Sequence, residues 1–454
     1  MFTIISIIIL ILSWYLFSKV AGSMKLTQLN MVSWIFYYQL VAQSFIASIF
    51  VINGWADDHH AISCVGEDAR IYGWLSVQYT MIVMPLGMLF INYLYGYKSN
   101  YRLFLSYINS QVITLTSKKD SFVKYPLYIL SFISFLAVAY VFIVSKGIPL
   151  IALFQGSDAY SLSGLRIEVS REFAGINFIR VYFALTLTPI MSYVAYSYWR
   201  MTKLREYFIW FLIMFLLSFF ILTFNLAKAP FISYLLGFLF LNVLINGSIK
   251  KGILFLFFGV ALILIITAYV FIVQVIELKV IYKLIRERIF LEQAAGTYLS
   301  FEFFPKFHDF IGFSSLSRIG SLVFGLDVSE SADRIIMSIQ KPLSVNAGIV
   351  GVMNSLFIQE AWANFGWLGV IIAPVYVGMF VQIIYNFFLK SKKTPIMIGI
   401  LTYFSYKMPI TGGFNEFLFN RPLVFLAFIF ISVYVAALFL KGINRNRDAF
   451  ISGY

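Results

Sequence analysis

Charge is what this sequence has least of. Only 12% of its 454 residues are charged and 61% are hydrophobic, where a soluble domain carries roughly a quarter charged residues. No soluble fold of this length hides so much apolar surface, and exposing it would drive aggregation. Lipid is therefore the expected solvent. Acidic residues are scarcer than basic ones, 20 against 34, leaving a net charge of +14. No basic stripe or base-reading motif accompanies that charge, which excludes nucleic acid as a partner. The single cysteine, Cys64, excludes an internal disulfide. His59, His60 and His308 make no metal-ligand spacing with it, so no metal is expected. Internal repeats and low-complexity tracts are also lacking.

What is present is a series of apolar runs. A bilayer span needs roughly 20 apolar residues, and candidates lie near 1–18, 31–53, 73–93, 125–146, 176–198, 206–225, 229–247, 252–276, 366–389, 395–411 and 422–440. The expected fold is all-α, a polytopic transmembrane helical bundle of about eleven spans, forming one membrane domain over residues 1–454. The first run, FTIISIIILILSWYLF, lacks the basic start and small-residue cleavage site of a signal peptide and reads as a retained span.

Loop charge sets the expected orientation. Basic residues follow the first, third, fifth, seventh, ninth and last runs: Lys19 and Lys25; Lys98, Arg102, Lys118, Lys119 and Lys124; Arg200, Lys203 and Arg205; Lys250 and Lys251; Lys390, Lys392 and Lys393; Lys441, Arg445 and Arg447. The connection after the second run instead holds Asp57, Asp58, Glu67 and Asp68. Basic connections face the cytoplasm, so the N-terminus is expected outside and the C-terminus in the cytoplasm. Residues 147–175 and 277–347 then both fall outside. The second forms an expected external helical subdomain. ELKVIYKLIRERIFLEQ has charged and apolar residues at helical spacing and suits a helix along the membrane surface. DVSESADRIIMSI places Asp327 three residues before Glu330, a capping-box-like start.

Those outer segments hold the candidate chemistry. SGLRIEVSREFAGINFIR carries Arg166, Arg171 and Arg180, with Arg180 about a turn inside the fifth span. An ionisable group there is costly and points to function, unless it snorkels to the headgroups or pairs with Glu172. Arginine binds phosphate through a planar fork at any working pH, so an arginine-rich outer loop suits a diphosphate-bearing substrate. In FNLAKAPFISYL, Lys228 stands at an expected helix start with Pro230 in the first turn. The helix dipole disfavours a cation there unless an anion arrives; a snorkelling turn lysine is the plainer alternative. The long loop adds His308, Arg318, Arg334 and Lys341, and His308 is a candidate general base. In NSLFIQEAWANFGWLG, Glu360 stands on an apolar stretch just before a span, with Gly366 and Gly369 after it. A carboxylate at that depth needs either a basic partner or a chemical task. In KMPITGGFNEFLFNRP, Lys407, Glu416 and Arg421 either pair with each other or close the mouth.

The order of these features resembles the oligosaccharide repeat-unit polymerases of bacteria, the Wzy type that builds O-antigen and capsule chains. A G-I-P-L run, Gly147 to Leu150, leads into the Arg166 loop. LAKAP takes the place of the family's small-residue turn with a basic residue, and QEAWANFGWLG resembles its Asn/Glu-rich run ending in G-x-x-G. The chain departs from the family in having Lys228 where arginine is common. It has Met353 before Asn354, where the related O-antigen ligases often place a histidine. That favours polymerase over ligase.

The resemblance implies a GT-C-like membrane glycosyltransferase in the bacterial plasma membrane. Its substrates would be undecaprenyl-diphosphate-linked oligosaccharides, and its partners membrane lipids and a chain-length regulator. No cofactor is implied, because the leaving group is already a diphosphate. Arg166, helped by Arg171, Arg180 and Lys228, would hold the diphosphate. Arg318, Arg334 and Asn354 would bind donor or acceptor. Glu360 would orient or deprotonate the acceptor hydroxyl, with His308 in reserve. The alternative from another class is a lipid-linked oligosaccharide flippase; transporters favour internal repeats and midplane charges, and neither is seen in this sequence.

Overall fold

The computed structural model describes residues 1–114, 121–145, 147–157, 159–171, 173–272, 282–283, 286–315, 325, 330–346, 352–353, 355–408, 410–412, 422 and 424–436. Its named elements are all helical. In chain order they are α1 Phe2–Ala21, α2 Met31–Ile52, α3 Glu67–Leu94, α4 Tyr101–Asn109 and α5 Ser121–Val144. Next come the short α6 Pro149–Phe154, then α7 Ala159–Arg171 and α8, which is π-helical over Ile179–Leu187 and α-helical over Thr188–Thr202. They continue with α9 Arg205–Thr223, α10 Lys228–Asn246 and α11 Lys251–Ile272. α12 is π-helical over Glu287–Leu291 and α-helical over Glu292–Phe303. α13 Ala332–Gln340, α14 Ile358–Lys390, α15 Pro395–Lys407 and α16 Val424–Ala436 complete the series.

Seven helices among the described residues are long and apolar enough to cross a membrane: Phe2–Gln28, Met31–Ile52, Glu67–Leu94, Val123–Val144, Arg205–Thr223, Ala229–Asn246 and Ile358–Lys390. The other four expected spans are not among these seven when only the described residues are considered. In α11 the side chains are continuously described only over Lys251–Val260, and Val424–Ala436 is a shorter apolar helix among the described residues. α15 has 13 residues, about 20 Å at 1.5 Å per residue, against a hydrocarbon core of about 30 Å. α8 is long, but it carries Arg180 and Arg200 and is rich in Thr, Ser and Tyr.

The helices group into two compact units. The first comprises Met1–Ile108, Asn246–Lys390 and Lys407–Phe419; the second comprises Asn109–Ile245, Ser391–Tyr406 and Asn420–Tyr454. The core of the first is the pair α3 and α14. Their backbones touch: a Cβ on Gly378 would overlap the Met84 carbonyl oxygen, and one on Gly87 would stand 2.5 Å from that of Val375. Small residues are what allow such an approach between apolar helices. Each helix also contains a proline, Pro85 and Pro374. A proline leaves the carbonyl four residues back without its helical partner, and in an apolar medium that carbonyl needs another. Ser13 of α1 supplies it for Met81, Oγ–H donating at 2.6 Å. Near Pro374, the Tyr79 hydroxyl donates to the Ile371 carbonyl at 3.1 Å. Further along, Asn92, Asn100, Gln382 and Asn386 are buried together and exchange four side-chain hydrogen bonds of 2.8–3.0 Å.

One end of this unit carries residues 53–66 packed on α12 and α13. The acidic residues of that loop are matched with basic ones. Asp58 accepts a two-pronged hydrogen bond from Arg286 at 2.7 and 2.8 Å, with Lys283 at 3.4 Å, and Asp57 pairs with Arg70 at 2.6 Å. The Arg286 hydrogen bond holds the Asp58 carboxyl below the ordinary range. α12 is not a surface helix over its whole length. Ala294 to Phe301 are all buried, against α3 and α14, while residues 277–281, 284 and 285 of the expected surface helix lie outside the described residues. α13 starts at Ala332 with Ser331 in the cap position and no side-chain cap bond; the expected capping residue Asp327 lies outside the described residues.

In the second unit the core is aromatic. The Tyr193 hydroxyl donates to the Tyr234 carbonyl at 2.7 Å and reaches the Tyr406 hydroxyl at 3.1 Å, and Ser192 and Tyr234 join their hydroxyls at 2.7 Å. Gly237 makes room, since a Cβ there would overlap the Tyr193 hydroxyl. Polar tips are thereby satisfied while the rings fill the interior.

Two outcomes follow for the first unit. Gly378→Ala should lower the unfolding midpoint of the purified protein by several degrees, because overpacking against backbone costs about 1–3 kcal/mol. Gly259→Ala, in a helix with nothing within 4 Å of the added carbon, should leave it unchanged or higher; matched thermal scans of the two variants check this. The second outcome concerns pH. His59 is 1% exposed, and burial, reinforced by the His60 charge against the pull of Glu292 and Asp58, lowers its pKa from 6.5 to about 4. The unfolded chain therefore takes up a proton near pH 6.5 that the folded loop refuses until about pH 4. Stability is complete above that upper value and declines as the pH falls toward the lower one. His60 is shifted in the same direction. His59→Leu should flatten the fall in thermal midpoint measured between pH 7 and 5, and an unchanged slope would assign the effect elsewhere.

Candidate functional site

Glu360 lies near the start of α14, on a short helix ahead of a break. Gly366 has φ 57° and ψ −139° inside what is otherwise one helix, a backbone state essentially restricted to glycine. A Cβ there would stand 3.1 Å from the Phe310 ring, and one on Gly369 would overlap the Ala361 carbonyl oxygen. The N-F-G-W-L-G sequence thus encodes a sharp fold-back, and the expected span start near 366 coincides with it.

The short helix is fastened on several sides. The Phe357 N–H donates to the Ile410 carbonyl at 3.0 Å, Ser300 Oγ–H to the Gln359 carbonyl at 2.8 Å, and Trp362 Nε1–H to the Phe304 carbonyl at 3.2 Å. The Ile311 N–H donates to the Ala363 carbonyl at 2.9 Å. Glu360 is buried at 6% exposure within this frame.

His308 belongs to the segment that binds the short helix, since its ring packs on Phe304 with centroids 5.4 Å apart. It is exposed. Its Nδ1 is 2.7 Å from the Asp309 carbonyl oxygen, which can only accept, so Nδ1 carries the proton and a neutral ring keeps its lone pair on Nε2. That is the form a general base requires. Arg334 is exposed on α13, and among the described residues it makes no ion pair. By contrast Arg70, Lys283, Arg286 and Lys306 are engaged by carboxylates. Arg318 and Asn354 lie outside the described residues.

In the second unit the arginines gather on α7. Arg166 is exposed, and its Nε–H donates to the Asn225 carbonyl at 3.1 Å. Asn225 sits in the turn between α9 and α10. Its Nδ2 donates to Ser170 Oγ at 3.2 Å and its Oδ1 accepts from the Ala227 N–H at 3.0 Å. That local bond, and Leu226 at φ 58°, shape the tight turn that ends in Lys228, the first residue of α10. Arg171 is the last residue of α7. Arg180 is half-buried, and Glu172, its expected partner, lies outside the described residues. Its guanidinium donates to the Val169 and Ser170 carbonyls at 2.5 and 3.0 Å and lies 4.8 Å over the Phe173 ring. Those carbonyls end α7, where a cation satisfies orphan acceptors and complements the dipole. Arg180 therefore holds α7 in place, and Arg166 is an exposed guanidinium of this set among the described side chains. α7 and the turn that ends in Lys228 are brought together through Asn225.

Among the buried polar residues that escaped the sequence reading are Gln78, Asn92, Asn100, Gln359, Gln382 and Asn386. Their signal was an amide, overlooked because it carries no charge. No protein-family model, no curated protein and no solved structure matches this chain.

Glu360 makes its two possible roles separable. In a catalytic role, Glu360→Gln should give a folded protein with the wild-type thermal midpoint and turnover reduced roughly 100- to 10,000-fold. In a structural role the variant should be heat-labile, by about 3–5 kcal/mol for a broken buried pair, yet active per folded molecule. Activity per folded molecule and thermal stability, measured on the same preparation, check which holds.

Proposed function

We propose that this chain is a membrane glycosyltransferase that polymerises undecaprenyl-diphosphate-linked oligosaccharide units at the outer face of the bacterial plasma membrane. The observation that carries the reading is the arginine set on α7. Arg166 is exposed beside the Lys228 turn, on a helix whose C-terminal end Arg180 caps. Fixed cationic groups in an otherwise apolar helical protein suit a lipid diphosphate. The wider proposal includes about eleven spans, a GT-C-like architecture, the N-terminus outside and the C-terminus in the cytoplasm.

In the proposed reaction an acceptor hydroxyl oxygen attacks the anomeric carbon of the growing chain. The bond from that carbon to the diphosphate oxygen breaks, and undecaprenyl diphosphate leaves with the electron pair. The hydroxyl proton passes to a base. Glu360 is assigned to that proton or to orienting the hydroxyl, with His308 Nε2 as the second candidate. Arg166 stabilises the charge that grows on the leaving diphosphate. Because no nucleotide is consumed, positioning and electrostatics are the protein's whole task.

A second reading, a flippase for lipid-linked oligosaccharides, is favoured by the break of α14 at Gly366, since discontinuous helices are common in transporters. Purified protein supplied with two lipid-linked repeat units and no other enzyme separates the readings. A polymerase lengthens the glycan; a flippase moves it across a vesicle membrane unlengthened. Arg166→Ala should abolish lengthening with membrane abundance unchanged. Arg166→Lys should restore only part, because a point charge replaces a planar fork. Full activity in the alanine variant would remove Arg166 from the mechanism.

A further inference from the structure

One end of the first unit is assembled from four stretches distant in the chain: residues 17–30 around the end of α1, 92–104 from the end of α3 into α4, 246–252 at the start of α11, and 385–390 at the end of α14. Printed distances tie them together. The Asn100 N–H donates to the Lys19 carbonyl at 2.8 Å and the Ile249 N–H to the Thr27 carbonyl at 2.8 Å. Asn100 Nδ2 donates to Asn386 Oδ1 at 2.8 Å, and the Tyr385 hydroxyl to the Ala21 carbonyl at 2.9 Å. Gly22, at φ 79°, lets α4 close on α1, since a Cβ there would stand 2.5 Å from that of Phe104.

The charge at this end is of one sign. The four stretches hold Lys19, Lys25, Lys98, Arg102, the adjacent Lys250 and Lys251, and Lys390, and contain neither Asp nor Glu. All of these cations except Lys19 are exposed. Among the described residues none of them makes an ion pair. The opposite end of the same unit is matched instead: Arg70 with Asp57, Arg286 with Asp58, Lys306 with Glu302 and Arg288 with Glu292. What positions the cations at the basic end is aromatic. The Lys390 ammonium lies 4.0 Å from the Tyr95 ring centre and 5.0 Å from that of Tyr97, and Lys19 lies 5.0 Å over Tyr15. A ring attracts a cation without cancelling its charge, so this end stays positive while its side chains are held. Asn100 brings the main cations together. Lys98 and Arg102 are each two residues from it, and its partner Asn386 is one helical turn from Lys390.

The level of these groups selects the anion. They stand at the ends of the membrane-length helices Phe2–Gln28, Glu67–Leu94 and Ile358–Lys390. Tyr15, Tyr93, Tyr95 and Tyr101 are exposed among them, and tyrosine, with an apolar body and a polar tip, settles at the depth of lipid headgroups. An anionic phospholipid offers a phosphate at that depth with no ammonium to offset it. We propose that this end of the first unit is a binding site for anionic phospholipid headgroups, with Lys98, Arg102 and Lys390 as the phosphate contacts. The connections involved are those expected to face the cytoplasm, whose leaflet is anionic. The site does not depend on which reaction the chain catalyses.

Full-length protein in a neutral detergent, mixed with equal amounts of phosphatidylglycerol and phosphatidylcholine, provides the test, with the retained lipids counted by native mass spectrometry. The wild-type protein should retain phosphatidylglycerol in preference, less so as salt is raised. Lys390→Gln, and Lys98→Gln combined with Arg102→Gln, should lower that preference by up to about fivefold per charge removed. Lys98→Arg should keep it. Arg288→Gln, at the charge-matched end, should also keep it. Thermal midpoints without lipid should match the wild type, because no carboxylate is left stranded. Equal retention of the two lipids by the wild-type protein would overturn the site, as would an undiminished preference in the glutamine variants at Lys390 and at Lys98 and Arg102. An equal loss in Arg288→Gln would assign the preference to the net charge of +14, and a loss in Lys98→Arg would assign it to the fold; either result ends the proposal. Release of the lipid by inorganic phosphate, but not by chloride at the same ionic strength, would mark a site for the free anion and overturn the headgroup assignment.

Discussion

Backbone polar groups that must find partners without water are the constraint on which the first unit is built. Two of its long helices contain prolines, and each proline creates a carbonyl that the helix itself no longer satisfies. Ser13 serves the carbonyl freed by Pro85, and Tyr79 serves one beside Pro374. Those bonds tie α1 and α3 together and seat α14 against α3. Gly87 and Gly378 then let the two backbones approach to contact. The fixed position of α14 is what gives the break at Gly366, and hence Glu360, a defined place.

The same rule governs the second unit at smaller scale. The end of α7 exposes carbonyls, and Arg180 reaches from the next helix to satisfy two of them. A group whose burial suggested chemistry thus has a structural task, and that task holds the helix that displays Arg166. In the first unit the reverse occurs. The amide of Gln359 is pinned at one end by Ser355, and the partners that would complete it are not supplied by the described residues.

Part of this was legible in the sequence because it depends on composition and spacing alone. Long apolar runs announce helices, and seven of the expected spans are helices of sufficient length and hydropathy. The close pairing of glycines after Glu360 signalled tight packing, and the structure adds that Gly366 breaks the helix there. Other features were not legible. The buried half of α12, from Ala294 to Phe301, follows a charged stretch and carries no pattern of its own that announces burial. Its burial depends on α3 and α14 being present to cover it.

By itself the sequence determined the solvent, the helical class and the positions of the charges, since each follows from side-chain transfer energies and local periodicity. Only the tertiary structure decided which polar groups are spent and which are left. Arg286 and Arg70 are consumed by Asp58 and Asp57, Arg180 by the end of α7, and Arg166 is left exposed on that helix. Asp58 and Arg286 stand far apart in the chain, and no local pattern records their pairing. The physical reason is that a hydrogen bond or ion pair is a property of two groups at one distance, and that distance exists only after the helices have packed.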